Sequence, residues 1–365
     1  MKKNIQHPLF GISPKLWYQL LINNDGFDPS FFPRVFFISM TSFGTMPFRA
    51  MFNLRYKKAI MKSSLTGPPI FIIGHWRSGT TYLQELLSHD PQFCHVSLWH
   101  TMVPSCFPIL DPFKKGLSTY LPTTRPMDNM EVAADGVYEE EAGIAVIYPY
   151  SFFHCFHFPR NAEKQYASAI HFDGLSKEEI DEWKKQYLFF LKTVSYMNPQ
   201  KTLLLKNPAN TARIKSILEL FPDARFIHIY RNPYKVFFST MKMRTRVLDV
   251  LALQKSKKED IKRHVLNDYT QLMKSFFKQK ELIPEKQFYE IQYESFVKDP
   301  LKQVQKMYDH FGISRFSSAM TPMKGYLESK KNYKVNVYNI DEKLVQKIKK
   351  HWGFTIEKWE YDVPK

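Results

Sequence analysis

The fold of this chain is decided by the stretch Ile70-Phe71-Ile72-Ile73-Gly74-His75-Trp76-Arg77-Ser78-Gly79-Thr80-Thr81. The four apolar residues at its start predict a buried parallel strand over 70–73. A helix is expected over 80–87, so the residues between form a strand-to-helix loop. Gly74 and Gly79 lie five apart and hydroxyl residues follow them, which is close to the spacing of a nucleotide phosphate-binding loop. The backbone N–H groups of such a loop and the first turn of its helix bind anions.

The loop departs from a nucleoside triphosphate site in two respects. Thr80 stands where the lysine of that motif is expected, and the positive charge lies inside the loop, at Arg77. The strand predicted over 225–230 is followed by Arg231 rather than by a magnesium-binding aspartate. Since a triphosphate–magnesium site needs both features, we expect a terminal phosphate or sulfate to bind here without a metal ion. The simpler alternative is a glycine-tightened turn without a ligand.

A second anion site is predicted from Arg231 and Ser239. Arg231 comes at the carboxyl end of the predicted strand 225–230, and Ser239 lies eight residues further on, in a helix expected to begin near Pro233. An arginine at a strand end and a hydroxyl group on the next helix are suited to holding a phosphate group. The alternative is a surface arginine that caps a loop.

Short apolar runs alternate with helical patterns along the chain. Strands are predicted over residues 70–73, 93–98, 202–205, 225–230 and 288–291. Helices are predicted over 80–87, 176–195, 257–280 and 297–311, with others ending near 221 and beginning near 233. The helix from Ser176 opens with a capping box. This alternation predicts an α/β fold, with a P-loop-like, doubly wound parallel sheet flanked by helices.

Three regions are expected along the chain. Residues 1–66 form an N-terminal helical and aromatic segment. Residues 67–340 form the main domain, in which a long proline-punctuated insertion, about 101–174, follows the second strand. Residues 341–365 form a C-terminal helix and tail.

The composition favours a globular protein with anionic partners. Hydrophobic residues make up 44% and charged residues 24% of the 365 residues, which excludes global disorder. The 52 lysines and arginines exceed the 35 acidic residues, giving a net charge of +17. This excess favours nucleotides or an anionic membrane surface, and without an RNA-recognition or zinc-finger motif we expect no nucleic-acid partner. The three scattered cysteines form no disulfide or metal pattern and are typical of the cytoplasm.

One uncharged run, residues 35–48, lies between Arg34 and Arg49. It is too short to span a bilayer and contains Gly44 and Pro47. We expect it to cover an apolar pocket or to lie on a membrane as a peripheral contact. The first residues lack the apolar region of a signal peptide, so the expected location is cytoplasmic.

These motifs together resemble the PAPS-dependent sulfotransferases, in the bacterial branch related to tyrosyl-protein and carbohydrate sulfotransferases. The residues Arg77-Ser78-Gly79-Thr80-Thr81 resemble that family's 5′-phosphosulfate loop, and Arg231 through Ser239 resemble its 3′-phosphate motif. Three further segments follow in the family's order, namely Lys206-Asn207-Pro208, residues 221–226 and residues 293–296. The resemblance covers about residues 68–340 and implies PAPS as co-substrate, PAP as product, and no metal ion.

The resemblance also implies roles for individual residues. Arg77, Ser78, Gly79, Thr80 and Thr81 would bind the 5′-phosphosulfate, and Arg77 would also neutralise the leaving phosphate during catalysis. Arg231 and Ser239 would bind the 3′-phosphate. Lys206, expected at a strand's carboxyl end, would stabilise the transferring sulfuryl group. Residues 330–334 would add a nucleotide contact, with a solvated basic loop as the alternative.

The base that takes the acceptor's proton has two candidates. His100 follows the predicted strand 93–98, and the ordinary pKa of histidine, about 6.5, suits proton abstraction near neutrality. The other candidate is one of the glutamates at 139–141, above all Glu141, which abuts the uncharged run 142–159. A carboxylate against apolar surface has a raised pKa.

The expected reaction is transfer of a sulfuryl group to a hydroxyl group. The aromatic content and the uncharged runs favour a small-molecule lipophilic alcohol, a sterol or another lipid, and a carbohydrate or peptide hydroxyl is the alternative. Two other function classes stay open, a P-loop kinase-like nucleotide enzyme and a non-enzymatic basic protein that binds membrane surfaces. The sequence predicts no oligomeric state.

Overall fold

A computed structural model describes residues 7–118, 132–331 and 342–363. The chain divides into two compact units. Unit one comprises residues 1–65, 95–199 and 243–258, and unit two comprises residues 66–94, 200–242 and 259–365. Unit one therefore combines the N-terminal segment with most of the predicted insertion.

A five-stranded parallel sheet forms the centre of unit two. Its strands, in chain order, are β1 (Ile70–Ile73), β2 (Phe93–Cys94), β3 (Thr202–Lys206), β4 (Arg225–Tyr230) and β5 (Phe288–Gln292). Their spatial order is β2-β3-β1-β4-β5, and every pairing is parallel. The predicted α/β class with a parallel sheet is confirmed. Strand β1 is fully buried because it lies between β3 and β4.

The helices account for most of the remaining described chain. The first group is α1 (Pro14–Asn23), α2 (Phe32–Gly44), α3 (Met46–Arg55), α4 (Lys57–Lys62), α5 (Thr80–Leu87), α6 (Leu98–Met102), α7 (Phe107–Leu110), α8 (Lys114–Ser118) and α9 (Glu140–Ile147). The second is α10 (His154–His157), α11 (Ala162–Tyr166), α12 (Lys177–Tyr196), α13 (Ile214–Leu220), α14 (Pro233–Leu251), α15 (Lys258–Gln279), α16 (Tyr293–Lys298), α17 (Pro300–Phe311), α18 (Phe316–Ser329) and α19 (Glu342–Lys358). Within the described ranges, no helix has both the length and the apolarity that crossing a bilayer requires.

Each unit has its own hydrophobic core. In unit two, Ile70 and Ile72 of β1 pack with Leu83 of α5, Ile227 of β4 and Phe296 of α16. In unit one, the 3-10 helix Pro8–Gly11 packs on α9 and on α2, which in turn packs on α1. Their shared cluster consists of Leu9, Ile12, Leu16, Trp17, Leu20, Val35, Ile38, Ala145, Val146, Phe158 and Leu253. The N-terminal segment is thus built into a core rather than appended to it.

Two predicted elements differ from the observed ones. The strand expected over 93–98 ends at Cys94, because Ser97 caps the helix α6: the Ser97 hydroxyl accepts the His100 N–H and His100 Nδ1 accepts the Ser97 N–H. The helix expected over 297–311 is two helices, α16 and α17. Asp299 caps α17 and Pro300 occupies its first turn, so a single helix cannot continue through these two residues.

Candidate active site

The strand-to-helix loop after β1 has a backbone that glycine alone tolerates at two positions. Gly74 has φ +139° and Gly79 has φ +105°. A Cβ atom on Gly74 would lie 2.3 Å from the carbonyl oxygen of Ile229, and one on Gly79 would lie 2.3 Å from Cδ2 of Tyr293. The loop is therefore pressed against the end of β4 and the ring of Tyr293, which fixes its shape.

Thr211 holds the start of the loop, a role that the sequence alone did not suggest. Its Oγ1 accepts a hydrogen bond from the Gly74 N–H at 2.8 Å and contacts the Gly74 carbonyl oxygen at 3.2 Å. Thr211 lies in the 3-10 helix Pro208–Ala212, directly after Lys206-Asn207-Pro208. The only signal in the sequence was its position four residues after Asn207 in that motif.

Several polar groups of the loop lie buried and available for an anion. Ser78 is 2% exposed, and its Oγ has no hydrogen-bond partner among the residues that the structure describes. Thr80 is also buried and Thr81 is half-buried at the first turn of α5. Gly79 caps this helix without a side-chain acceptor, so the first N–H groups of α5 are available to a bound anion.

The structure brings Arg77, Arg231 and Ser239 together from distant parts of the sequence. The Arg77 Nε donates to the Ser239 Oγ at 2.9 Å, and the Arg231 Nη1 donates to the Arg77 carbonyl oxygen at 3.3 Å. The Arg231 guanidinium lies 4.2 Å from the ring centre of Tyr293. The Arg231 Nε is buried, with no hydrogen-bond partner in the part of the chain that is described. The two predicted anion-binding motifs thus form one positively charged site.

Lys206 lies beside this site on the neighbouring strand. It ends β3, pairs in register with Ile72 of β1, and is 2% exposed. The next residue, Asn207, donates its N–H to the Ile72 carbonyl at 3.3 Å. Lys206 is therefore at the carboxyl edge of the sheet, as the sequence predicted. Its partner in the register, Ile72, lies two residues before Gly74. This edge is where open parallel sheets bind ligands.

An aromatic group that the sequence analysis missed closes one side of the same loop. A small cavity beside Ser78 and Arg231 is lined by His228, Tyr230 and Trp359, among other residues. Tyr230 and Trp359 stack with ring centres 4.6 Å apart. The Nδ1 of His228 donates to Glu290 at 2.8 Å; although burial raises the pKa of Glu290, this hydrogen bond and the neighbouring charges hold it below its usual value.

His100, one candidate base, is engaged in a helix cap of unit one. It occupies the third position of α6, not the end of a strand, and that part of the prediction is wrong. Its Nδ1 accepts the Ser97 N–H at 3.1 Å, and its ring lies 4.4 Å from that of Phe107. Burial lowers the pKa of His100 to about 3, so the ring is neutral at pH 7.

The glutamates 139–141, the other candidates, begin α9 in unit one. Glu140 and Glu141 are both fully buried. The Glu141 Oε1 accepts from the Ser151 hydroxyl at 3.0 Å and from the Phe152 N–H at 2.8 Å. The Glu140 Oε1 accepts from the Tyr187 hydroxyl at 2.9 Å. Each carboxylate is thus held in one orientation.

The remaining predicted contacts are only partly described. Lys330 lies just beyond α18, with its ammonium 5.7 Å from the ring centre of Tyr326, and Lys331 follows it. Residues 332–334 of the predicted nucleotide contact lie outside the described residues. Within the described ranges, no group of three or more His, Cys, Asp or Glu side chains is arranged to hold a metal ion.

Comparison with known proteins agrees with this geometry. The chain matches the sulfotransferase family over residues 68–318. It is 31% identical over 307 residues to the omega-hydroxy-beta-dihydromenaquinone-9 sulfotransferase Stf3 of Mycobacterium bovis, an alignment covering 84% of this chain and 79% of the relative. The same values hold for Stf3 of Mycobacterium tuberculosis.

Two solved structures share the fold. Sulfotransferase STF9 from Mycobacterium avium superposes with a TM-score of 0.71 at 18% identity, covering 97% of this chain and 93% of that one. Sulfotransferase STF1 from Mycobacterium tuberculosis gives a TM-score of 0.67 at 17% identity, covering 93% and 90%. Since both the family match and the Stf3 alignment span most of the sequence, this chain belongs to the sulfotransferase family and is an enzyme.

Proposed function

We propose that this enzyme transfers a sulfuryl group from PAPS to the hydroxyl group of a lipophilic alcohol and releases PAP. The observation that carries the proposal is the joined site of Arg77, Ser239 and Arg231 at the start of α5. Membership of the sulfotransferase family sets aside the kinase-like and non-enzymatic alternatives.

The residues present fit a nucleotide with two separate anionic groups. The buried Ser78 hydroxyl, the first N–H groups of α5 and Arg77 suit the 5′-phosphosulfate. Arg231, whose Nε is buried without a partner among the described residues, and Ser239 suit the 3′-phosphate. Charge-assisted hydrogen bonds from arginine to phosphate are about twice as strong as neutral ones. The two sets of residues therefore favour a ligand with two anionic groups over a neutral ligand.

PAPS supplies a sulfuryl group on a phosphosulfate anhydride. When the sulfur leaves for the acceptor hydroxyl, its bond to the bridging oxygen breaks and negative charge develops on that oxygen. Positive groups that are already in place stabilise this charge without reorganisation. Arg77 is held by Ser239 and is suited to the leaving phosphate. Lys206 is buried at the neighbouring strand end and is suited to the equatorial oxygens of the sulfuryl group.

For the base, the hydrogen bonds favour Glu141 over His100. The His100 Nδ1 accepts the Ser97 N–H, so the neutral ring carries its proton on Nε2. That nitrogen donates and cannot take a proton, and protonation at Nδ1 would break the helix cap. The Glu141 carboxylate is an acceptor with a fixed orientation, as a general base requires.

Two observations support a lipophilic acceptor. The relative Stf3 is named for a menaquinone-derived acceptor with an omega-hydroxyl group, and this chain is 16% aromatic, with 31 phenylalanines. A polyprenyl or sterol alcohol fits both better than a sugar or a peptide does.

The nucleotide is tested by titrating PAP into the protein by calorimetry without magnesium. We expect tight binding that Arg231→Ala weakens roughly 10- to 100-fold, since hydrogen bonds to charged groups contribute about 1.5–3 kcal/mol. The matched control is Arg225→Ala, at the opposite end of the same strand, which should leave the affinity within about twofold. Binding of ATP in preference to PAP, and only with magnesium, would refute the donor assignment.

The acceptor is tested by turnover with the same preparation. PAPS with a polyprenyl alcohol, a sterol, a monosaccharide and a tyrosine peptide are compared in parallel. Sulfation of the lipid alcohols is expected. Turnover with the sugar or the peptide alone would leave the donor site intact and overturn the lipophilic acceptor.

A further inference from the structure

Helices α2 and α3 expose large apolar side chains to solvent. On α2 these are Phe32, Phe36, Met40 and Phe43, which are 57%, 56%, 55% and 60% exposed. On α3 they are Met46, Met51 and Leu54, of which Leu54 is 88% exposed. We call these seven side chains the apolar face. A concentration of large exposed apolar side chains on two consecutive helices is typical of a binding surface.

The spacing shows that α2 is apolar on two sides. Phe32, Phe36, Met40 and Phe43 recur at intervals of four, four and three and so share one side of the helix. A second side, with Val35 and Ile38, packs into the core of unit one. A surface helix ordinarily carries polar residues away from the core, and a helix that is apolar all round is buried against something.

Two of the charged residues of these helices, Arg34 and Arg49, hydrogen-bond to backbone carbonyl groups of unit one. Arg34 donates from Nη1 to the Ala252 carbonyl at 2.7 Å and from Nη2 to the Asp249 carbonyl at 2.8 Å. Arg49 donates from Nη2 to the Ser42 carbonyl at 2.8 Å. The two arginines on either side of the uncharged run 35–48 therefore donate hydrogen bonds to backbone carbonyl groups.

A basic rim lies next to the apolar face along the chain. Arg55, Lys57, Lys58 and Lys62 are all exposed on α3 and α4. No acidic residue occurs between Asp28 and Glu85. This stretch therefore presents only positive charge, beside side chains that water solvates poorly.

We propose that the apolar face docks on an anionic lipid bilayer, with the basic rim at the lipid headgroups. Large apolar side chains flanked by lysine and arginine are what an interfacial helix uses to enter the headgroup region. Each lysine or arginine near an anionic surface adds attraction, which salt screens. A second copy of this chain is a poorer occupant, because it would bring two basic rims together. The proposal does not depend on the identity of the donor or the acceptor.

The test is co-sedimentation of the full chain with vesicles of phosphatidylcholine containing about 30% phosphatidylglycerol. We expect binding that falls at least about tenfold in vesicles of phosphatidylcholine alone and at high salt. Phe36→Ser combined with Phe43→Ser should lower binding by about tenfold or more, since burying a phenylalanine is favourable by about 1.5–3 kcal/mol. The matched control is Phe113→Ser, equally exposed at 58% but outside the apolar face, and it should bind as the wild type does.

A second pair of variants keeps the test valid if the serine variants fold poorly. Lys57→Glu with Lys58→Glu should weaken vesicle binding at least about tenfold, whereas Lys349→Glu with Lys350→Glu, the same charge change on α19, should have little effect. Circular dichroism and urea denaturation, measured in parallel, report an intact fold separately from membrane binding. Equal binding by all variants, or none by the wild type, overturns the proposal. So does light scattering that shows a dimer dissociated by the serine variants.

Discussion

At residue 77 an arginine occupies a left-handed backbone conformation, with φ +71°. Such a conformation costs a non-glycine residue roughly 1 kcal/mol and concentrates at functional sites. Here the surroundings hold it: the Arg77 side chain donates to Ser239 and its carbonyl accepts from Arg231. The strain is thus associated with the contact that joins the two anion-binding motifs.

The assignment of the base is also decided by single residues. Glu141→Gln should lower kcat by about 10²- to 10⁴-fold, the usual contribution of a general base, and leave the Kd for PAP unchanged. The measurement is steady-state kinetics together with PAP calorimetry on the same preparations.

Two variants serve as comparisons for Glu141. Glu140→Gln changes a neighbouring carboxylate of equal burial, bonded to Tyr187, and should retain most of the activity. His100→Gln should affect stability through the cap of α6 more than kcat. A large loss of kcat in His100→Gln alone would assign the base to the histidine.

Among the elements, α12 is a helix whose start is determined by residues close together in the sequence. The Glu179 N–H donates to the Ser176 hydroxyl at 3.3 Å, and the Ser176 N–H donates to Glu179 at 2.8 Å. Glu179 also accepts from the Tyr150 hydroxyl at 2.9 Å. The capping box therefore fixes the start of α12, and Glu179 also connects this start to Tyr150.

Loss of this cap should be measurable in the stability of the protein. Ser176→Ala should lower the free energy of unfolding by about 1 kcal/mol, because one N–H of the first turn loses its acceptor. Urea denaturation measures the change. Ser317→Ala, an exposed serine in the first turn of α18, should change the stability less, and an equal effect would argue against the cap.

At the scale of the whole molecule, unit one buries three histidines, one from the N-terminal segment and two from α10. His7, His154 and His157 are buried, and the Nδ1 atoms of the last two lie 3.1 Å apart. Burial lowers the pKa of His7 and of His154 to about 4, and that of His157 well below its ordinary value. All three rings are neutral in the folded protein near pH 7.

This cluster makes the stability depend on pH. The unfolded chain binds protons on these rings below about pH 6.5, whereas the folded chain does not until about pH 4. The free energy of unfolding should therefore fall as the pH drops from about 6.5 to 4, by up to about 1.4 kcal/mol per pH unit for each proton of difference. Urea denaturation at a series of pH values measures the slope.

The slope has a direct control. His7→Asn retains an acceptor for the Leu9 N–H and should make the pH dependence shallower. His310→Asn, at an exposed position, should leave the slope unchanged. A slope that is the same in both variants would show that the buried cluster is not its source.

Local sequence patterns determined the strands of the sheet and the glycine loop. The run 70–73 is a buried strand made of isoleucine and phenylalanine alone. In the strand 225–230 isoleucine and aromatic residues predominate, and its four central residues are buried. The start of α5 at Thr80 followed from the loop spacing. These features depend on neighbours in the chain, so the sequence was enough to predict them, and with them the parallel α/β class.

Long-range packing decided what the sequence left open. The hydrogen bond between Arg77 and Ser239 joins residues 162 positions apart. In the same way, packing between elements decides that His100 lies in the cap of α6. It also decides which side of α2 exposes its phenylalanines. A residue's spacing specifies the side of a helix that it shares with others, whereas tertiary contacts specify whether that side meets the core, a ligand or solvent.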